Sequence, residues 1–157
     1  MTVDKAALVD AFASVLAERL HTLLAEQEAA RAGTRVDGSH RPANRGERAA
    51  VSAQGYLALA LDRRIEALQE AQVLLGQVER GPARVVGAGA LVSLRDEDDV
   101  VEHILILPGG LGDRVGDVVV VSPRSPVARA LAGLRPGDLG RLVRGGRAVE
   151  VEIEAVR

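Results

Sequence analysis

Residues 120–138 read VVSPRSPVARALAGLRPGD. The β-branched run Val118–Val121 stops at Ser122-Pro123. Ser125 then stands where a helix N-cap belongs, and Pro126 takes the first helical position, where its missing N–H costs nothing. Val127, Ala130 and Leu131 share one face of a short helix, and Gly133 offers a left-handed residue to end it. Pro136-Gly137-Asp138 turns the chain back into Leu139–Val143. The local order is strand, capped helix, turn, strand.

Around this core the second half reads as a small β-rich domain over residues 89–157. Its strands are Gly89–Leu94, Val100–Leu107, Val115–Val121, Leu139–Val143 and Ala148–Val156, five in all, with the short helix between the third and fourth. In the last strand Val149, Val151, Ile153 and Ala155 alternate with Glu150, Glu152 and Glu154, which predicts one wet face. Arg95-Asp96-Glu97-Asp98-Asp99 lacks the spaced ligands and glycine of a calcium loop and reads as a hydrated hairpin turn. Gly109-Gly110-Leu111-Gly112 is followed by a strand rather than by a helix N-terminus that could hold phosphate, so it reads as a flexible turn. No histidine lies near Ser122 or Ser125 to activate either hydroxyl; capping is the default reading.

The segment Ser125-Pro126-Val127-Ala128-Arg129-Ala130-Leu131-Ala132-Gly133, with Gly137-Asp138 and a closing strand, resembles the C-terminal signature of bacterial GreA/GreB-type transcription elongation factors. The resemblance covers roughly residues 85–157. It implies an α+β protein, an N-terminal antiparallel helical hairpin (a coiled coil) followed by an FKBP-like β-rich domain with one short helix. It also implies that the partner is bacterial RNA polymerase, with Ser125, Pro126 and Arg129 marking the docking surface. The same residues are equally explained by capping and core packing. Prolyl isomerisation, another activity of this fold, needs a pocket of aromatic rings, and residues 85–157 contain no Phe, Tyr or Trp.

The first half, residues 1–79, fits a hairpin. From Thr2 to about Ala32 there is neither Gly nor Pro, and Val9, Phe12, Leu16, Leu20 and Leu23 recur every three or four residues. A second helix is predicted from about Glu47 to Glu79, with a stripe of Leu57, Leu61, Ile65, Leu68, Leu75 and Val78. Gly55 and Gly76 weaken it locally. Each helix has one apolar face and no local cover, so the two are expected to pair. The turn-forming residues between them place a tip at 33–47, on a rod of about 45 Å for thirty residues. Residues 80–88, opening on Arg80-Gly81-Pro82, read as a linker. Without the second half, a plain hairpin that dimerises or packs on its own domain explains these residues.

Gre factors carry an acidic tip motif, Asp-x-x-Glu-Asn-Ala, whose carboxylates hold magnesium and water at the polymerase active centre. Counting back from Leu61-Asp62-Arg63-Arg64-Ile65, which looks like a GreB segment, places Asn44-Arg45-Gly46-Glu47-Arg48-Ala49 on that motif. Glu47 keeps the glutamate, Asn44 replaces the aspartate, and Arg48 stands at the asparagine. Asp37 is the one other acid near the turn. Arg31, Arg35, Arg41, Arg45 and Arg48 oppose these two acids, so the tip is basic where the resemblance leads one to expect an acidic one. Two functions follow. In one, Glu47 with Asn44 and Asp37 supports weakened transcript cleavage through a shared Mg2+. In the other, Arg41, Arg45 and Arg48 pair with polymerase carboxylates or RNA phosphates, and the factor regulates without cleaving. A solvated charged loop without a partner is the bland alternative.

Composition sets outer bounds. The chain of 157 residues has a formal net charge of −2, which argues against a free-standing duplex-DNA binder. Contact with nascent RNA or DNA is expected only through the polymerase complex. There is no cysteine, hence no disulfide or thiolate site, as suits a reducing cytoplasm. No signal peptide or membrane span is read. The expectations are a cytoplasmic monomer, no cofactor of its own, and no enzymatic activity apart from the polymerase.

Overall fold

A computed structural model describes residues 4–34 and 44–157. Helix α1 spans Lys5–Thr34 and α2 spans Arg45–Gly76. Asp4 starts α1, its carboxylate accepting the Ala6 N–H at 2.9 Å. The α2 helix ends at Gly76, three residues short of the predicted Glu79. There Gln77 and Val78 tighten into bonds to Leu74 and Leu75, three residues back, as helices do when they run out of regular acceptors.

The described chain forms two compact units, the residues up to Ser14 with Ala71–Arg157, and Val15–Glu70. In the second unit α1 and α2 run antiparallel. Asp62 of α2 accepts hydrogen bonds from Gln27 and, at 3.1 Å, from Arg31 of α1. Leu16, Leu23, Leu61, Ile65 and Leu68 are buried, as the stripes predict. Leu57 departs from its stripe and is 53% exposed. Gly55, in the same part of α2, has nothing within 4 Å of where a Cβ would stand.

The first unit holds a six-stranded sheet, one strand more than expected. Its strands are β1 (Leu91–Asp96), β2 (Val101–Ile106), β3 (Leu111–Val115), β4 (Val118–Val121), β5 (Leu139–Arg144) and β6 (Arg147–Val156), with helix α3 (Pro126–Leu131) between β4 and β5. The order across the sheet is β3-β4-β2-β1-β6-β5. Only β2 and β4 pair in parallel; the other neighbours are antiparallel. The run 115–121 was expected as one strand, but Gly116, at φ +59, and Asp117 fold it into the β3–β4 hairpin. The glycine stretch 109–112 begins in a turn, with Gly109 at φ +81 and the Gly110 N–H on the Leu107 carbonyl at 3.2 Å, but does not continue as one. Gly110 lies against the backbone of Val121, and Leu111 and Gly112 enter β3.

One face of the sheet packs on α3. Val92, Leu94, Ile104, Ile106, Leu142, Val151 and Ile153 meet Ala128 and Leu131 there. The opposite face of the central strands is also closed, with Leu91, Leu105, Leu107, Val118 and Val120 buried in the unit that includes the enclosed helix residues Val9, Phe12, Ala71 and Leu75. Lys5 is buried in this unit as well, and its Nζ donates to the Gly81 carbonyl at 2.6 Å. Burial pushes its pKa below the ordinary 10.5, and Glu79 opposes that shift. The alternation in β6 holds from Val149 to Ile153 and then changes phase. Ser93 faces Ala155 while Leu94 faces Ile153, so Glu154 is the extra residue of a bulge, and Val156 rather than Ala155 packs on the α3 face.

Candidate functional site

Two places carry the residues singled out by sequence. The first is the start of α2. Asn44 is its N-cap: Oδ1 accepts the Glu47 N–H at 2.9 Å, and the Asn44 carbonyl takes the Arg48 N–H at 3.3 Å. Glu47 sits at the third helical position, where a carboxylate complements the positive end of the helix dipole. The Asn-x-x-Glu spacing is therefore a helix-start signal in its own right, a reading that the capping rules offered and the count along the family motif passed over. Arg45, Glu47 and Arg48 are exposed. Asp37 and Arg41 lie outside the described residues.

Glu47 supplies one carboxylate, and the amide oxygen of Asn44 is already engaged as a cap. Among the described residues no three His, Asp or Glu side chains gather in a way that could hold a metal ion. Along the chain this helix start sets one carboxylate, Glu47, between Arg45 and Arg48, residue types that suit hard cations in the first case and phosphates or carboxylates in the second.

The second place is α3. Ser125, at φ −61 and ψ 151, accepts the Ala128 N–H on Oγ at 3.1 Å, and Pro126 follows at the first helical position. Ala128 and Leu131 face the core, which leaves Pro126 and Arg129 exposed and Ser125 half-buried. The helix end differs in detail from expectation. Gly133 has φ +81, but its N–H bonds the Val86 carbonyl at 2.9 Å, while Leu134 bonds back to Leu131 at 3.1 Å. Replacing Ser125 by Ala should lower stability by about 1 kcal/mol, read as a shift of the urea midpoint at unchanged slope. A Ser125→Asp variant, which keeps a capping oxygen, should restore most of it.

With this geometry in hand, comparison with solved structures returns Gre-type factors. The GreA factor homolog 1 (Gfh1) protein of Thermus thermophilus is 19% identical, with 92% of this chain and 94% of that one covered at a TM-score of 0.42. Thermus aquaticus Gfh1 is 20% identical, with 92% of each chain covered and a TM-score of 0.43. A prokaryotic transcription elongation factor GreA/GreB from Nitrosomonas europaea is 25% identical over 57% of this chain and 78% of that one, at a TM-score of 0.40. No family model and no curated protein matches the sequence.

The acidic turn is a hairpin turn, as read. Asp96 Oδ1 accepts the N–H groups of Asp98 and Val100 at 3.0 and 2.9 Å, and Asp99 takes the left-handed position at φ +59, a conformation that Asp tolerates better than most residues. Among the described residues no helix is long and apolar enough to cross a membrane.

Proposed function

We propose that this chain is a Gre-type transcription elongation factor whose partner is RNA polymerase, bound at the secondary channel. It acts as an accessory factor: any RNA hydrolysis belongs to the polymerase active site, as does the magnesium. The observation that carries this reading is the Ser125–Gly133 motif. It forms a capped helix that buries Ala128 and Leu131 and presents Pro126 and Arg129 to solvent, leaving a surface available for docking. The antiparallel α1–α2 pair supports the same reading, since it presents Asn44, Arg45, Glu47 and Arg48 at one helix start.

In the first mode the tip assists cleavage of backtracked transcripts, with Glu47 as the assisting carboxylate and the neutral Asn44 weakening the effect. The second mode is regulation without cleavage, and the amide at Asn44 and the arginines on either side of Glu47 favour it. RNA cleavage by backtracked polymerase complexes separates the two. Asn44→Asp is the informative variant, because Asp caps as well as Asn and adds a second carboxylate. The cleavage mode expects weak stimulation by the native chain, loss in Glu47→Ala, and a gain of about tenfold in Asn44→Asp, equivalent to about 1.4 kcal/mol of barrier. Binding without cleavage in the native chain, with cleavage appearing in Asn44→Asp, selects the regulator. A chain that fails to bind polymerase at all sinks both modes.

A further inference from the structure

The two edges of the sheet are built differently. At the β3 edge the register shifts between Leu111 and Asp113, and charged Asp113 and Arg114 sit in the strand, devices that discourage edge pairing. The β5 edge also carries charge, at Arg141 and Arg144, but lacks the shift. Its register with β6 runs without a shift from Leu139↔Glu152 to Arg144↔Arg147.

Two observations fix which way the β5 backbone points. The Gly145-Gly146 turn has φ +55 and +78 and closes a two-residue hairpin, so the flanking pair Arg144/Arg147 is hydrogen-bonded. At the far end Ile153 bonds both Gly137, at 2.7 Å, and Asp138, at 2.9 Å. Counting in twos from either end makes Gly140, Leu142 and Arg144 the residues bonded to β6. The N–H and C=O groups of Leu139, Arg141 and Val143 therefore face the open edge. Their side chains share the face away from α3, where Leu139 is 60% and Val143 75% exposed.

We infer that β5 pairs antiparallel with β5 of a second copy of this chain, on a two-fold axis through Arg141. Leu139 and Val143 lie two residues on either side of Arg141, so the axis sets Leu139 of each copy against Val143 of the other, apolar on apolar. About six backbone hydrogen bonds form, two for each facing pair. The two Arg141 side chains meet at the axis, and each has Glu150 directly across on its own β6 to offset their repulsion. A two-fold through Gly140 or Leu142 instead sets Arg141 against an apolar residue. One short strand buries well under the ~800 Å² per partner of a stable interface, so the association is weak and concentration-dependent. It does not depend on the polymerase reading.

The test is sedimentation of the full chain from about 10 μM to about 1 mM, the range of weak association, with amide exchange followed in parallel. The expected result is a mass that rises with concentration while exchange slows at Leu139, Arg141 and Val143 and stays unchanged at Gly140, Leu142 and Arg144. Val143→Lys should weaken association about fivefold, and a mixture of native chain with Arg141→Glu should associate about fivefold more tightly than either alone. A single-chain mass throughout overturns the inference. So does association that leaves those three amides unchanged, a mixture no tighter than its components, or slowed exchange at the edge only when polymerase is added.

Discussion

Replacing Gly110 by Ala should destabilise the sheet-containing unit by about 3 kcal/mol or more, the upper end of what overpacking costs. A Cβ at this position would lie 2.7 Å from the Val121 carbonyl carbon and 2.9 Å from its nitrogen and oxygen. Those atoms are backbone and cannot swing aside. They also belong to the β4 end, where the Val121 carbonyl accepts the Leu107 N–H at 2.9 Å, so relief of the clash would pull on the β2–β4 parallel pair. Chemical denaturation should show a midpoint far below that of the native chain. Gly55→Ala provides the contrast. Nothing lies near its Cβ and it sits inside α2, so Ala should stabilise by about 0.5–1 kcal/mol. Equal effects from the two substitutions would contradict the packing described for residue 110.

Leu131→Ala should cost about 3 kcal/mol. Leu131 is fully enclosed between α3 and the sheet, and removing a buried leucine side chain typically costs 2–5 kcal/mol. Its Cδ2 stands 2.7 Å from where a Cβ on Gly140 would be, with Leu134 Cδ1 at 3.1 Å. Gly140→Ala alone should therefore destabilise by about 1–3 kcal/mol through overpacking. In the double variant the new methyl enters space that Leu131 has vacated, so the combined loss should fall short of the sum by about 1 kcal/mol. Strict additivity would show that the two residues do not share that space. Both parts of this prediction are readable from denaturation midpoints of four proteins.

Where a feature depends on a few adjacent residues, the chain could be read directly. Ser125 caps α3 because a serine before Pro126 can reach the Ala128 N–H in almost any tertiary setting, and the α1 and α2 stripes follow from helix period. Asn44 is legible in the same way, since Asn three residues ahead of Glu marks a helix start. The Gly116-Asp117 turn is local too, a glycine–aspartate pair between Val115 and the β-branched run Val118–Val121.

Other features have no local signature. Leu57 carries the right spacing for burial and is nonetheless 53% exposed, because helix period fixes which residues share a face and not how far a partner covers it. The phase change at Glu154 comes from the pairing of β6 with β1, sixty residues earlier, and no pattern within β6 announces it. Gly110 needed glycine because of Val121, a contact made only when β2 and β4 lie side by side. The outward backbone of Leu139, Arg141 and Val143 exists only because β5 ends the sheet. Residue order along the chain determined the hairpin helices, the capped α3 and the strand alternation, since those are set by backbone geometry over a few residues. Tertiary structure alone decided the strand neighbours, the free edge and the glycine that must stay bare, since each depends on which distant backbone comes to lie alongside.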